Sequence, residues 1–455
     1  MSTRKKALLT QGPILATLLK LALPMIWGIF VVMTFNLVDT YFVGQLGTLQ
    51  LGAMGFTFPV VMLGGSLAMG LGIGTSSVIS RAIGESDTHQ VRCLTTDSLI
   101  LSVTFVGLFI TLGLLTIDPL FTLMGAGPEL LPLIREYMQI WYIGLLFLVI
   151  PMVGNSAIRA TGDTLTPSVI MTVAGVANIA LDPLLIFGYG PVPAMGLRGA
   201  ALATVGARAL TLVAAVGVLH FRERMLLWRL PSVNRLVDSW KRILYVGLPA
   251  ALTNSIAPLA NAVLTALVAS FGVSAVAGFG VATRIEAFAL IPVMGLSAGL
   301  GPFVGQNWGA KEIERVQSAL NRTYVFSVLW GILVAIILLT FRRNIAQVFN
   351  ENPEVIQVVS VYLFFLLPVY AFEGWRVLGN STFNAIGKPL NATAVTLGKL
   401  GTYVMLAYGL SVFFDLKGVF MAGAVATALS GVISWLWTRK VCRFSDPEPT
   451  HAKAS

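Results

Sequence analysis

From Leu21 onward the chain repeats one pattern: about twenty apolar residues, a short break carrying charge, proline or glycine, then another apolar run. Runs of that length cross a hydrocarbon layer about 30 Å thick as helices. Twelve spans are predicted, at roughly 15–43, 51–80, 94–117, 133–158, 165–187, 196–219, 243–270, 276–305, 316–340, 355–383, 390–414 and 418–438. A membrane β-barrel would need polar and apolar residues to alternate at period two. Stretches such as VLWGILVAIILLTF, Val328 to Phe341, show no such alternation. Helices remain as the way to pair backbone groups in lipid, so the fold class is an all-α membrane protein.

Composition agrees, with 56% hydrophobic residues, 11% charged residues and a mean hydropathy of +0.83. Those values exclude a soluble globular chain. The basic start MSTRKKALLT is followed by no short apolar stretch with a small-residue cleavage site, so no removal is expected. Two cysteines, Cys93 and Cys442, are too few for a disulfide framework.

Charge sets the orientation. With the N-terminus inside, twenty Lys and Arg fall on the inner side, and only Arg135, Arg198, Arg342, Arg343 and Lys417 on the outer. The positive-inside rule then puts both termini of a multi-pass membrane protein in the cytoplasm. The net charge of +10 reports that topology and contact with anionic lipid, and no nucleic-acid partner is expected.

The chain also matches itself at a fixed offset of 225 residues. Pro24 pairs with Pro249, Asn36 with Asn261, Gly74 with Gly299, Gly84 with Gly309, Tyr137 with Tyr362, and Gly154-Asn155-Ser156 with Gly379-Asn380-Ser381. Six spans per half is an even number, so the halves form a parallel repeat. The predicted organisation is an N-terminal half at 1–219, a cytoplasmic linker at 220–242, a C-terminal half at 243–440 and a cytoplasmic tail at 441–455. The basic linker can lie on the membrane as an amphipathic helix or run as a solvated loop.

Against that symmetry the carboxylates stand out. Asp39 has Leu264 as its twin and Asp182 has Ala407, so each acid belongs to one half only. Asn178 lies one helical turn before Asp182 on the same face. Counted from the outer ends of their spans, Asp39, Asp182 and Thr204 sit at similar depth, with Asn36 one turn from Asp39. An ionised carboxylate in lipid costs several kcal/mol and usually faces a wet cavity. This group is therefore a candidate site for a proton, or for a sodium ion held by carboxylate, amide and hydroxyl oxygens. Two alternatives stay open: Asp39 reaching to the interface, and Asp182 serving as a helix cap before Pro183. Pro24, about 15 residues before Asp39, removes a backbone hydrogen bond and marks a place where the first helix can bend. In the other half Glu373 is deep in its span, with Arg376 three residues on as a possible local partner. Arg284 and Glu286 are expected to pair with other helices. The glycines of GGSLAMGLGIGTSS and MGLSAGLGPFVG fit close helix packing better than hinging.

Several stretches carry a resemblance: LPMIWGIFVVMTFNLVDTYFVGQLG, RATGDTLTPS, NIALDP and GFGVATRIEAFALIPVMGLSAGLGPFVGQNWGA. Through them the chain resembles the multidrug and toxic compound extrusion (MATE) transporters, nearer their DinF-like branch. The resemblance implies a V-shaped pair of six-helix lobes, monomeric, exporting small cationic amphipathic drugs in exchange for protons, with sodium as the alternative ion. It implies no cofactor and no resident metal. By the same resemblance Asp39, Asn178 and Asp182 stand at the coupling positions, and Asn155 and Thr204 line the same cavity. Glu373 falls where another branch carries an acid, but the companion acid of that branch is here Ala257. A lipid-linked head-group flippase of the same superfamily is a further alternative. No Gly-x-x-x-x-Gly-Lys-[Ser/Thr] pattern is present, and all three histidines lie in predicted loops or the tail, so neither ATP hydrolysis nor a histidine-based catalytic site is expected, and the chain is not read as an enzyme.

Overall fold

The computed structural model describes residues 8–227 and 231–444. Arg4, Lys5, Lys6, Arg229 and most of the 441–455 tail lie outside the described residues. The chain is almost wholly helical. After a 3₁₀ turn, Leu8–Thr10, come α1 (Ile14–Gly44), α2 (Thr48–Gly84), α3 (Thr88–Leu123), α4 (Leu131–Ala160), α5 (Leu165–Phe187) and α6 (Gly196–Gly217). The second half holds α7 (Val233–Ala269), α8 (Val273–Ala289), α9 (Ile291–Gly309), α10 (Ile313–Phe349), α11 (Pro353–Leu366), α12 (Tyr370–Ala385) and α13 (Pro389–Phe444).

Four predicted spans differ in form. The span predicted at 276–305 is α8 plus α9, bent by 45° at Leu290, where Pro292 in the first turn of α9 cannot continue the hydrogen-bond ladder. The span predicted at 355–383 is α11 and α12 joined by a 3₁₀ turn that contains Pro368. The last two spans run together in α13, which breaks at Asp415 with φ of 50° and ψ of −140°. Among the described residues, eleven helices or bent pairs are long and apolar enough to cross a membrane, and dividing α13 at its break makes twelve.

The predicted linker is shorter and less free than expected. The last turn of α6 loosens into a π turn, Val218–Arg222, and Val233 already starts α7. No separate surface helix forms among the described residues of 220–242. The strap between is tied to unit-1 helices: Arg222 bonds Asp163 at 2.6 Å and Thr166 at 2.7 Å, the Leu227 amide donates to Thr96 Oγ1 at 2.9 Å, and Met225 is fully buried. Burial alone would push the Asp163 carboxyl up, but hydrogen bonds from the Thr166 hydroxyl and amide and from Arg222 hold it below the usual carboxylate range.

The helices fall into two compact units. The first comprises Pro24–Ile83 and Asp87–Ala251; the second comprises the described residues before Pro24, Gly84–Ser86 and those from Leu252 onward. The division passes through α1 at Pro24 and through α7 two residues after its repeat twin Pro249. Backbone approach fixes both exchanges. In unit 1 a Cβ at Gly74 would stand 3.0 Å from the Gly247 amide, and in unit 2 a Cβ at Gly299 would stand 2.8 Å from Leu21 Cβ. These repeat-related glycines therefore serve close packing, as their pattern predicted.

Candidate functional site

The site in unit 1 is built by α5 lying along α1. Ser168 Oγ donates to the Pro24 carbonyl at 2.5 Å, and Trp27 Nε1 donates to Thr172 Oγ1 at 3.1 Å. Val31 sits over Gly175, and Phe42 meets Phe187 edge-on at 6.1 Å. The two hydrogen bonds join residues 144 and 145 apart in sequence, so the helices run parallel at that offset. Asp39 is thereby level with Pro183 and beside Asp182. Along α5 the contact stripe Ser168, Thr172, Gly175 continues one turn at a time into Asn178 and Asp182.

The third wall is α6. Gly199 lies so close to the Leu185 carbonyl that a Cβ there would also be 2.8 Å from the Ile186 amide. That approach brings Thr204 Oγ1 to 3.5 Å from Asn178 Nδ2, which also reaches Asp182 Oδ1 at 3.4 Å. Asp182 is fully buried and Asp39 is half-buried. Asp39 Oδ1, Asn178 Oδ1 and Asp182 Oδ2 are buried oxygens without a hydrogen-bond partner among the described residues. Such acceptors are costly to leave bare, and a proton or a small cation is what they would take.

Two residues here were given no part in the site by the sequence. Tyr137 of α4 and Arg208 of α6 both lie within electrostatic reach of Asp39, and Tyr137 also of Asp182. Arg208 forms no ion pair among the described residues, and its Nη1 is buried without a partner. One signal was available, since Arg208 follows Thr204 by one turn and its repeat twin is Ile433. The cluster is thus mixed in sign.

Other predicted members fall elsewhere. Asn36 is exposed one turn before Asp39, and among the described residues no side-chain bond ties it to the cluster. Asn155 is buried on α4, but eighteen residues beyond Tyr137, roughly 27 Å along the helix, so it does not line the same cluster. In unit 2 Glu373 is consumed by ion pairs, with Arg376 at 2.5 Å and with Lys399 of α13 at 2.7 Å. Glu286 accepts from the Tyr362 hydroxyl at 2.5 Å, meeting the expected pairing. Arg284 does not: it is exposed, with no ion pair or hydrogen bond among the described residues.

Comparison with known proteins agrees with this architecture. The family model MatE matches residues 24–184 and 249–409, two copies set apart by the same 225 positions as the internal repeat. The chain belongs to the MatE family. It is 37% identical to a FAD transporter of Shewanella oneidensis, over 95% of this chain and 96% of that one. It is 23% identical to the multidrug export protein MepA of Staphylococcus aureus, over 94% of each. The bent form of the Vibrio cholerae MATE transporter VcmN superposes with a TM-score of 0.89 at 30% identity, covering 94% of this chain and 97% of the other. The chain is accordingly a multi-pass membrane transporter of the efflux type and not an enzyme.

Proposed function

We propose that this MATE-family protein exports small organic solutes across a bacterial inner membrane in exchange for protons, with both termini in the cytoplasm. The single observation that carries the reading is that Asp39 and Asp182, absent from the other half, meet in one unit with buried, unpartnered oxygens. Ionised, the pair holds a hydrated or cationic cargo; protonated, it loses charge, and drying the cavity becomes cheaper. Asn178 and Thr204 orient Asp182, and the ladder hydrogen bond that Pro24 cannot donate inside α1 lets the outer part of that helix bend as the cavity closes. Cationic amphipathic drugs suit two carboxylates. A second cargo is favoured by Arg208 and by the FAD transporter resemblance: a flavin nucleotide, whose phosphates a guanidinium can hold.

The test is flux in proteoliposomes with pH and sodium gradients imposed separately. Export that responds to the pH gradient and is lost in Asp39→Asn supports the reading. A response to sodium alone would replace the proton by sodium, and normal pH-driven export by Asp39→Asn would remove Asp39 from coupling.

A further inference from the structure

We propose that the face of α8 that carries Arg284 is the substrate surface of unit 2, and that Arg284 binds the phosphate of an anionic organic solute. The inference rests on the reading of the chain as a solute exporter, and not on proton coupling.

Arg284 lies eleven residues after Val273, about 17 Å along α8 and near the middle of a hydrocarbon layer, too deep for its side chain to reach the water at that end. It is nevertheless exposed. Its side of the helix reads Val273, Ala277, Gly280, Arg284 and Ala287, with Val281 and Phe288 half-buried at its edge; the residues one and two turns before Arg284 are small, and a Cβ at Gly280 would meet nothing within 4 Å. The lipid-type surface of the same unit looks different: α10 exposes Val325, Leu329, Ile332 and Ile336, each 53% or more. A face of small residues around a charge suits a water-filled cavity, where intramembrane charges belong.

No acid pairs with Arg284 among the described residues. Glu286, two residues on, points to the opposite side of the helix and takes the Tyr362 hydroxyl. Glu373 is bridged by Arg376 and Lys399, and Glu354 near the start of α8 accepts from Ser274 at 2.7 Å. Arg376 and Lys399 share one carboxylate, so the deep groups of unit 2 sum to one positive charge even before the ends of the helices are considered. A planar guanidinium with free donors binds phosphate through two parallel hydrogen bonds. In unit 1, by contrast, Arg208 stands beside Asp39, which lowers its attraction for anions. Arg284 is the stronger anion receptor.

The test uses the full-length protein in phosphatidylcholine nanodiscs, titrated with FAD and with riboflavin, which carries the same ring without phosphate. We expect FAD to bind at least tenfold more tightly than riboflavin, and FAD affinity alone to weaken as salt is raised. Arg284→Gln should abolish the preference and leave riboflavin binding unchanged; Arg284→Lys, charged but unable to form the planar fork, should retain part of it. If the glutamine variant fails to fold, the salt series and the lysine variant decide. Competition by phosphatidylglycerol would support the phosphate site while assigning it to a lipid head group. No FAD binding, equal affinity for the two flavins, or an undiminished preference in Arg284→Gln overturns the proposal. Loss of pH-driven export with the FAD preference intact would count against the coupling reading alone.

Discussion

Gly199→Ala is a severe test of how the unit 1 site is held. Its added methyl carbon would fall inside van der Waals contact with the Leu185 carbonyl and 2.8 Å from the Ile186 amide nitrogen. Relaxed contacts lie near about 3.5 Å, so α6 must move away from α5 by at least about 0.7 Å, because neither obstacle is a side chain that can rotate. Thr204 lies on the same rigid helix, five residues on, and its contact with Asn178 is already 3.5 Å. The shift takes it beyond hydrogen-bonding range. Overpacking of this kind costs about 1–3 kcal/mol, so the variant should insert and fold with a lower Tm. Export should fall about tenfold, while Gly217→Ala, at a position with open space around it in the same helix, should be neutral. Thermal unfolding in detergent and flux in proteoliposomes read the two effects. A Gly199→Ala protein with wild-type Tm and wild-type flux would refute the α5–α6 approach on which the site depends.

Three further outcomes are expected. Asp39→Asn and Asp182→Asn should each abolish coupled export, and the double variant should lose little more than either single, since both act in one cluster; multiplicative losses in flux would separate them. Glu373→Gln should lower stability by about 3–5 kcal/mol through the stranded charges of Arg376 and Lys399, read as a fall in Tm, whereas a lost cation site would abolish flux at unchanged Tm. The Asp163–Arg222 tie should stabilise the strap at neutral pH, and its depressed carboxyl means that the contribution is present above about pH 4 and disappears as pH falls further. The Tm difference between wild type and Asp163→Asn should therefore be flat from pH 8 to 5 and close below 4; a constant difference at low pH contradicts it.

Apolar run length made the twelve spans legible, because burial in lipid acts on every residue of a helix alike. The bend at Leu290, the 3₁₀ turn at Pro368 and the break at Asp415 were not, since one residue changes backbone geometry without changing mean hydropathy. The Asn178–Asp182 pair was legible because both lie on one helix, where spacing fixes direction. Tyr137, Arg208 and Lys399 were missed because their partners come from other helices, and a single charge vanishes in a twenty-residue average. Asn155 was misplaced for the converse reason: polarity says that a residue seeks polar company but not at what depth.

The exchange of the first parts of α1 and α7 between the two compact units bears on descent. Each half of the repeat lacks, within its own unit, the stretch that precedes its own proline, and holds instead the corresponding stretch of the other. A gene encoding only one half could not have produced a complete unit by itself. Two copies of one half complete both units only by trading their leading segments. Separated halves made in one cell should accordingly reassemble, and either half made alone should be degraded.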